Sequence, residues 1–395
     1  MDRAAAQDAQ RASDAKVKAL AAARRAGAGA VRVCSARDDD EGRERMCAAL
    51  ERGDLATWPY DRAYARRANS PEALLAGARS VVCVAVPFAT PAPPGRAPLT
   101  GRISNYAWAQ DYHRVVRRVL DAIEEALNEA AGGPSCVVVC DTAPLAERAF
   151  AARAGLGWVG KHTNLIAPKL GSFVFLGEVV TTLALSEDPP LRKTCGSCAR
   201  CVVACPTGAL RGDYTIDATR CISDLTQRRD AIPHDLRPLI ADWIWGCDIC
   251  QEVCPPTRRA RSAGRAEFRA PNHAAAFTGL EQLLAMPGRE FRRRYHASAL
   301  GWRGPAVLRR NAAVALGNLL DRAAVPALSR SLAGDRSPLV RGHAAWALGR
   351  IGSPDAISAL SQAGAVERSY DVQSEIARAL EPFAPVRALG HPEAK

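Results

Sequence analysis

Apolar runs alternate with amphipathic stretches along the first half of the chain. Three runs have the length and continuity of buried strands, and they lie at 78–88, 135–140 and 171–185. Residues 111–130 carry apolar side chains at helical spacing, and residues 144–157 form a second helical pattern closed by glycine. This order predicts an α/β domain over residues 1–190. The proline-rich segment 89–100 is predicted to be a loop, long enough to act as a lid.

The last third of the chain contains an internal repeat. A constant step of 32 residues separates three alanines and three leucines: Ala313, Ala345 and Ala377, and Leu316, Leu348 and Leu380. Helix pairs at a fixed period are typical of an α-solenoid, here of HEAT type with a short repeat. A plain helical bundle is the alternative, but it does not require the same register three times. We therefore predict an all-α repeat domain over residues 258–395.

Composition excludes several broad classes of protein. With 395 residues, 48% hydrophobic and 24% charged, the chain can bury two or three ordinary cores. It has no apolar run of about eighteen residues, and its N-terminus lacks the apolar region of a signal peptide. We therefore expect a cytoplasmic protein without a membrane segment. Because disulfides are rare in that reducing compartment, the 13 cysteines are better explained as metal ligands or catalytic residues.

The positive charge of the chain is concentrated in one segment. Residues 256–350 contain seventeen arginines, no lysine and five acidic residues, which accounts for the whole net charge of +12. One interpretation is an ordinary solvated surface that is rich in arginine. The other is a binding surface for a polyanion, because guanidinium groups suit phosphates.

Four cysteines lie within eleven residues: Cys195, Cys198, Cys201 and Cys205, with Pro206 after the last. This spacing is the bacterial ferredoxin run, in which the fourth cysteine serves a different cluster from the first three. Structural zinc usually pairs two C-x2-C knuckles across a loop, so successive steps of three residues fit it poorly.

A second group of cysteines supplies the missing ligands. It comprises Cys221, Cys247, Cys250 and Cys254. Exchanging the last cysteine of each group predicts two 4Fe-4S clusters: Cys195, Cys198, Cys201 and Cys254 for the first, and Cys205, Cys221, Cys247 and Cys250 for the second. We therefore predict a ferredoxin-like two-cluster domain over residues 191–257. The other five cysteines are most simply small buried hydrophobes: Cys34, Cys47, Cys83, Cys136 and Cys140.

Longer motifs then identify a family. The segments CDTAPLAERAFAARAGLGWVGKHTNLI, SFVFLGE, GCDICQEVCP and LRRNAAVALGN occur here in one order with the eight cysteines. Together they resemble the epoxyqueuosine reductases, which complete queuosine in tRNA anticodons. The resemblance runs from LLAGARSVVCVAV to GHAAWALG and covers nearly the whole chain.

The resemblance implies cofactors and partners as well as an activity. Cobalamin would bind without its lower axial base over the α/β domain, beside the clusters that reduce its cobalt. The low-valent cobalt would then remove the epoxide oxygen of epoxyqueuosine, giving queuosine and water. The implied partners are the tRNA anticodon stem–loop and an external electron donor such as a ferredoxin or flavodoxin, and the protein is expected to be a monomer.

The family's proton donor falls on Asp141, which ends the apolar strand CVVVC. Epoxide opening leaves an oxygen that must be protonated, so the reaction needs one general acid. A carboxyl group that borders a cavity can have a raised pKa and hold a proton near neutral pH. The residues alone also allow Asp141 to cap a helix that starts within three residues.

Further contacts are implied with cobalamin and with tRNA. The resemblance carries the corrin contacts over to Asn105, Asp141, Lys161, His162, Thr163, Leu165, Ser223, Cys247 and Asp248. Lys161 also fits an ordinary surface cation, and Ser223 a turn residue after a ligand cysteine. The candidate phosphate contacts on the basic repeat domain are Arg309, Arg310 and Arg341.

Three local departures from the family pattern concern the expected corrin or substrate channel. His162 stands where asparagine is usual, CISDLTQR replaces CISYLTIE, and CPPT replaces CPWN. These three differences are consistent either with a different substrate preference or with neutral sequence change.

Two other functions use the same cysteine motif. A reductive dehalogenase-like enzyme also combines cobalamin with two clusters, but such enzymes usually carry an export signal and need no basic solenoid. A non-catalytic electron-transfer protein leaves Asp141 and the segment ERAFAARAGLGWVGK unexplained. The sequence therefore favours a tRNA-modifying reductase.

Overall fold

The computed structural model describes residues 3–260 and 265–383 of the chain. The predicted repeat domain also includes residues 261–264 and 384–395, which lie outside the described residues. No helix in the described part is long and apolar enough to cross a membrane.

The N-terminal part of the chain combines helices with strands. Its helices are α1 (Arg3–Ala26), α2 (Asp40–Glu51), α3 (Arg62–Ala68), α4 (Tyr112–Ala131) and α5 (Glu147–Arg153). Its strands are β1 (Ala30–Ser35), β2 (Ser80–Pro87), β3 (Thr100–Ile103), β4 (Cys136–Val139), β5 (Trp158–Val159), β6 (Leu165–Ile166) and β7 (Val174–Thr181). The predicted strands and helices are thus confirmed, and the proline-rich segment 89–100 is a loop up to β3.

The main sheet has the strand order β1-β2-β7-β4, and every pairing in it is antiparallel. Val82 and Val84 of β2 pack on α1 and α4, whereas Val81 and Cys83 face α5 on the other side. Because helices cover both faces, the central strands β2 and β7 are mostly apolar on both sides, with Glu178 of β7 as a buried acidic exception. The continuous apolar runs therefore indicate strands that are covered on both faces. They do not indicate whether neighbouring strands are parallel or antiparallel.

The cysteine-bearing segment has short elements. They are α6 (Arg200–Ala204), α7 (Ile222–Leu225), β8 (Trp243–Trp245), α8 (Ile249–Glu252) and α9 (Pro255–Arg259). Beyond it the chain is mostly helical, with α10 (His273–Ala276), β9 (Phe277–Gly279), α11 (Leu280–Leu284), α12 (Gly288–Tyr295), α13 (Pro305–Leu319), α14 (Val325–Gly334), α15 (Pro338–Ile351), α16 (Pro354–Gly364) and α17 (Tyr370–Leu380).

A small second sheet joins the three parts of the chain. Strand β3 pairs in parallel with β8 and antiparallel with β9. Beside this junction, the Arg102 guanidinium donates to Asp242 at 2.7 Å and lies 4.2 Å from the Trp243 ring centre. Strand β3 of the N-terminal part therefore lies at the centre of this sheet, hydrogen-bonded to the cysteine-bearing segment on one side and to the C-terminal part on the other.

The 32-residue repeat corresponds to three helices that pack side by side, α13, α15 and α17. A Cβ atom at Gly317 would lie only 2.8 Å from Ala347 on the next helix, and one at Gly349 only 2.7 Å from Ala379. Two glycines one repeat apart thus allow the same close approach twice. This is the regular stacking of a solenoid, whose core extends from Leu308 to Ile376.

Arg310 is a structural residue and not a phosphate contact. Its side chain on α13 is fully buried and donates hydrogen bonds to the carbonyl groups of Leu225, Arg228 and Asp230 at 2.6–2.9 Å. Burial lowers the pKa of its guanidinium group to about 9. The prediction that Arg310 contacts tRNA is wrong, because the side chain points inward and joins the repeats to the cysteine-bearing segment.

Replacing Arg310 by Met should lower the midpoint of thermal unfolding by several degrees. The change leaves three carbonyl groups without their donor in a buried position, at a cost of about 3–5 kcal/mol. Circular dichroism measures the midpoint, with Arg330→Met, an exposed position on α14, as the matched control. Equal midpoints for the two variants would contradict the structural role of Arg310.

Candidate active site

A cleft of about 880 Å³ lies beside the ends of β4 and α5. Its walls come from α2, α3 and α5 and from a turn of the cysteine-bearing segment. Among the predicted site residues, Asp141 and Thr163 line it. Three residues that the sequence did not single out line it as well: Tyr60, Tyr64 and Glu147.

Asp141 lies two residues beyond β4, in a left-handed backbone conformation with φ of 60°. Its carboxylate is 63% exposed and accepts a hydrogen bond from the Tyr112 hydroxyl at 2.8 Å. The Nε2 atom of His113 lies 3.7 Å from the same carboxylate oxygen. Helix α5 begins only at Glu147, and its N-cap is Ala146 without a side-chain hydrogen bond. The alternative that Asp141 caps this helix is therefore wrong.

The charge state of Asp141 differs from the prediction. Its interaction with His113 lowers the pKa of Asp141, and the Tyr112 hydroxyl lowers it further, against the opposing effect of burial. The carboxylates of Asp111 and Asp141 in turn raise the pKa of His113 to about 9. The expectation of a raised Asp141 pKa is wrong, because a cation and a hydroxyl stabilise its charged form. At neutral pH the pair holds one proton, on the imidazole of His113.

Two further carboxyl groups lie behind Asp141. The Asp141 amide N–H donates to Glu147 Oε1 at 2.6 Å, and fully buried Glu178 on β7 adjoins Glu147. Burial raises the pKa of Glu147 to about 7, and burial together with Glu147 raises the pKa of Glu178 far above its ordinary value. The only sequence signal for this pair was one acidic residue inside the apolar run VFLGEVVT.

Asn105 and Asp248 are distant in sequence but adjacent in the structure. The Asn105 amide N–H donates to Asp248 Oδ2 at 2.7 Å, and the Ser104 hydroxyl donates to Oδ1 at 2.5 Å. Burial raises the pKa of Asp248 to about 6. The Asn105 side-chain nitrogen donates to a carbonyl at 2.8 Å, whereas its Oδ1 is buried without a partner among the described residues. Asn105 therefore offers a buried acceptor to a ligand.

Lys161 joins the α/β part to the cysteines. Its backbone N–H donates to Cys195 Sγ at 3.4 Å, and its Nζ donates to the carbonyl oxygen of Gly196 at 3.0 Å. Both groups of Lys161 therefore bind the loop that carries the first cysteine, and its contact with a corrin stays a prediction.

The neighbours of Lys161 have different environments. His162 is buried, burial lowers its pKa to about 4, and in the described structure its Nε2 has no hydrogen-bond partner. Thr163 adopts a left-handed conformation with φ of 64° and faces the cleft. Leu165 is 2% exposed and packs in the core beside α5, so its side chain is not available to a ligand.

None of the thirteen cysteines forms a disulfide, and electrostatic interactions relate the eight predicted ligand cysteines to one another. Burial raises the pKa of Cys201, and the nearby thiolates of Cys195 and Cys254 raise it further. Cys254 is affected in the same way by Cys195 and Cys198. The last cysteine of the second run thus lies with the first three of the first run.

The second group adjoins the first. Burial raises the pKa values of Cys221 and Cys247, and the thiolate of Cys205 raises both further. Cys250 is affected by Cys205 and, from the other group, by Cys201. The proximity of these thiols matches the crossed assignment, although the ligand sets themselves stay a prediction.

Ser223 follows one of these cysteines on α7. Its hydroxyl accepts a hydrogen bond from the Gln227 side chain at 3.3 Å, and its carbonyl oxygen accepts one from the same group at 2.9 Å. Ser223 does not line the cleft that contains Asp141, and neither do Asn105, Lys161, His162 and Asp248.

The two other arginines predicted to contact tRNA have carboxylate partners. Arg309 pairs with Asp335 at 2.8 Å and Arg341 with Glu367 at 2.7 Å, and both arginine side chains are 16% exposed. Part-buried ion pairs thus already engage both guanidinium groups, and the phosphate contacts of Arg309 and Arg341 stay a prediction. Exposed arginines without an ion pair among the described residues lie instead on α12, at Arg289, Arg292, Arg293 and Arg294.

The cysteine-bearing segment, the cleft with its Asp–His pair and the stacked helical repeat together suit an iron–sulfur enzyme with a helical repeat domain, and comparison with known proteins identifies the class. Family models match three separate regions: "Epoxyqueuosine reductase QueG, DUF1730" at 67–142, "4Fe-4S double cluster binding domain" at 194–257 and "HEAT repeats" at 297–381. The segment 194–257 is therefore a 4Fe-4S double-cluster module, as predicted.

Known relatives identify the family. Epoxyqueuosine reductase of Synechocystis sp. is 38% identical over 278 residues, which cover 70% of this chain and 95% of that protein. A crystal structure of an epoxyqueuosine reductase with an epoxyqueuosine-modified tRNA-Tyr stem loop matches with a TM-score of 0.86 and 32% identity, over 93% of this chain and 98% of that one.

A structure of epoxyqueuosine reductase from Bacillus subtilis matches with a TM-score of 0.85 and 31% identity, over 93% of this chain and 98% of that one. In that structure the catalytic loop, which carries an aspartate, is swung out of the active site. The chain belongs to the epoxyqueuosine reductase family.

Reconstituted without oxygen, the protein should bind about eight iron atoms per chain, because two 4Fe-4S clusters need them. Iron analysis of two double variants tests the crossed ligand sets. Cys198→Ala with Cys254→Ala should lose about half of the iron, since both residues serve one cluster. Cys205→Ala with Cys254→Ala should lose nearly all of it. Equal losses in the two variants would contradict the assignment.

The Glu147–Glu178 pair should make stability fall as pH rises. The ordinary glutamate pKa is 4.5 and that of folded Glu147 is about 7. Between these values the unfolded chain releases protons that the folded chain keeps, so stability decreases with pH.

Glu178→Gln removes one of the two acids and should reduce this loss. Thermal midpoints at pH 5 and pH 8 measure it, and exposed Glu187→Gln is the control. A pH dependence equal to that of the wild type would contradict the role of the pair.

Proposed function

We propose that this protein reduces epoxyqueuosine to queuosine in the anticodon of tRNA. The observation that carries the proposal is the similarity, over 93% of this chain, to a structure that contains an epoxyqueuosine-modified tRNA stem loop. The charged Asp141–His113 pair in a cleft of about 880 Å³ supports a reaction that needs a proton.

Cobalamin without its lower axial base is the cofactor that we propose for the site. When bound, it supplies a low-valent cobalt that is a strong nucleophile. Its amide side arms need hydrogen-bond partners in a buried site. The unpartnered acceptor of Asn105 supports this fit, as does the unpartnered Nε2 of His162 in the described structure.

The remaining corrin contacts are proposed from the family resemblance. They are the backbone of Leu165, the turn residues Lys161 and Thr163, and the residues Ser223, Cys247 and Asp248 beside the cysteines. Asp248 would keep Asn105 in place through the hydrogen bond between them.

Asp141 is the proposed proton donor to the oxygen that leaves the epoxide. Loss of that oxygen as water consumes two electrons, which the external donor supplies, and two protons, one delivered by Asp141 and the other taken from solvent. The exposed Asp141 carboxylate faces the cleft, and the His113 imidazole beside it holds a proton at neutral pH. We propose that this proton passes from His113 to Asp141 as the reaction proceeds, because a group with a pKa above 7 is protonated at neutral pH and can supply a proton. Tyr112 and Glu147 orient Asp141 by hydrogen bonds.

The two cysteine groups would carry the electrons. The set Cys195, Cys198, Cys201 and Cys254 and the set Cys205, Cys221, Cys247 and Cys250 are the proposed ligands, each for one 4Fe-4S cluster. An external ferredoxin or flavodoxin would supply the electrons. The protein would act in the cytoplasm as a monomer, with domains at 1–190, 191–257 and 258–395.

The exposed arginines of α12 are the proposed phosphate contacts, alongside Arg309 and Arg341, which were predicted from the sequence. A cluster of unpaired guanidinium groups attracts an RNA backbone. Dehalogenation of a small molecule and electron transfer without catalysis gain no support from the family or from this surface.

Anaerobic incubation with cobalamin, a strong reductant and epoxyqueuosine-containing tRNA tests the function. Mass analysis of the nucleosides should show the loss of one oxygen. Asp141→Asn should reduce turnover by about 100-fold or more while iron content and corrin binding persist. The control is Asp213→Asn, a second exposed aspartate on the cleft wall.

The outcomes of this experiment separate the two claims. No conversion by the fully loaded wild-type protein would contradict the proposed function. Conversion by Asp141→Asn at the wild-type rate would contradict only the role of Asp141.

A further inference from the structure

Four stacked aromatic rings extend away from the cleft, and we call them the aromatic row: Tyr64, Tyr60, Trp58 and Trp302. Ring centres are separated by 4.3 Å between Tyr64 and Tyr60, and by 6.0 Å at the next two steps. The planes of neighbouring rings differ by no more than 27°. In this stack Tyr60 and Trp58 each lie between two other rings, so only the ends of the row can offer a face to a ligand.

The inner end of the aromatic row belongs to the cleft. Tyr60 and Tyr64 line it together with Asp141. The outer end is Trp302, which is 50% exposed in the short helix Gly301–Arg303. The aromatic row therefore connects the candidate acid to the protein surface.

Polar contacts fix the middle of the aromatic row. The Trp58 indole N–H donates to Asp224 at 2.9 Å, and Arg228 holds that carboxylate at 2.6 Å. Trp58 thus has a defined orientation, since a buried ion pair determines where its indole nitrogen lies. Rigid aromatic side chains lose little entropy when a ligand stacks on them.

Positive charge accompanies the outer end. The Arg303 guanidinium lies 3.6 Å from the Trp302 ring centre and 5.2 Å from that of Trp58. Its Nε is buried without a hydrogen-bond partner among the described residues. Burial lowers the pKa of Arg303, and the positive charge of the nearby Arg229 lowers it further. The Arg229 side chain is exposed.

Packing between two parts of the chain is the simpler explanation of these rings. It accounts for Trp58, which is held by Asp224, and for the pair Tyr60 and Tyr64. It does not account for a tryptophan that is half exposed, with two arginines that lack carboxylate partners in the described structure. Aromatic faces combined with cations are the usual surface for unpaired nucleobases.

We propose that the outer end of the aromatic row binds an unpaired base of the RNA loop next to the nucleotide that enters the cleft, with Trp302 as the stacking platform. This inference rests on the proposed function, because it takes the cleft to hold a nucleotide of an anticodon loop. Every base has an aromatic face, so stacking holds the loop without reading its sequence. Arg303 and Arg229 add attraction for the nearby phosphates.

Binding of labelled RNA by the full-length, cluster-loaded protein tests the inference. The probes are an unmodified anticodon stem–loop and a fully paired duplex with the same number of phosphates. Trp302→Ala should weaken stem–loop binding about tenfold and leave duplex binding unchanged, because a paired base offers no free face. The matched control is Tyr370→Ala on α17, where the aromatic side chain is 81% exposed.

Two further measurements exclude a merely structural role. Trp302→Phe should retain most of the stem–loop affinity, since phenylalanine keeps an aromatic face. The salt dependence of stem–loop binding should be the same for Trp302→Ala and the wild type, because no phosphate contact is lost.

The inference is overturned if Trp302→Ala binds the stem–loop as tightly as the control does. It is also overturned if that variant loses duplex and stem–loop affinity equally. If Trp302→Ala weakens stem–loop binding as predicted but the wild-type protein does not convert epoxyqueuosine, the proposed function is contradicted. The stacking surface is then still supported.

Discussion

The cysteine-bearing segment depends on being held from both sides. Its helices α6, α7, α8 and α9 have only four or five residues each, so they bury little apolar surface of their own. From one side the Lys161 backbone N–H donates to the Cys195 sulfur, and from the other the buried Arg310 guanidinium binds three carbonyl groups. Strand β8 completes the attachment in the three-stranded sheet. Cysteines distant in sequence can stay in two groups because the neighbouring domains restrain the segment between them.

The same junction organises the candidate active site. Asn105 follows β3, and Asp248 follows β8, so pairing of these strands brings the two residues into hydrogen-bond contact. Asp141 follows β4 of the main sheet. Tyr112 and His113, at the start of α4, contact its carboxylate. A residue that looked like an isolated acid at the end of a strand is therefore one member of a charged group. That group, with Glu147 behind it, places the proton on His113 at neutral pH.

Arginine content proved a poor guide to the nucleic-acid surface. Three arginines chosen from the basic segment are engaged internally, Arg310 with carbonyl groups and Arg309 and Arg341 with carboxylates. Arg309 and Arg341 are one 32-residue step of the repeat apart, and Arg310 follows Arg309, so all three lie where side chains pack between helices. The exposed arginines of α12 and the pair Arg229 and Arg303 are better placed for RNA. A count of charges could not separate these two populations, because exposure depends on which helix face meets a neighbour.

The sequence by itself determined the features that rest on local spacing. The cysteine steps predicted a double-cluster module, the 32-residue period predicted stacked helices, and apolar runs predicted the strands of the main sheet. Only the tertiary structure decided features that depend on distant neighbours. These include the antiparallel strand order, the lowered pKa of Asp141, the buried pair Glu147 and Glu178, and the aromatic row. A pKa or an exposed ring depends on which groups lie within a few ångströms, and folding brings those groups from remote positions in the chain.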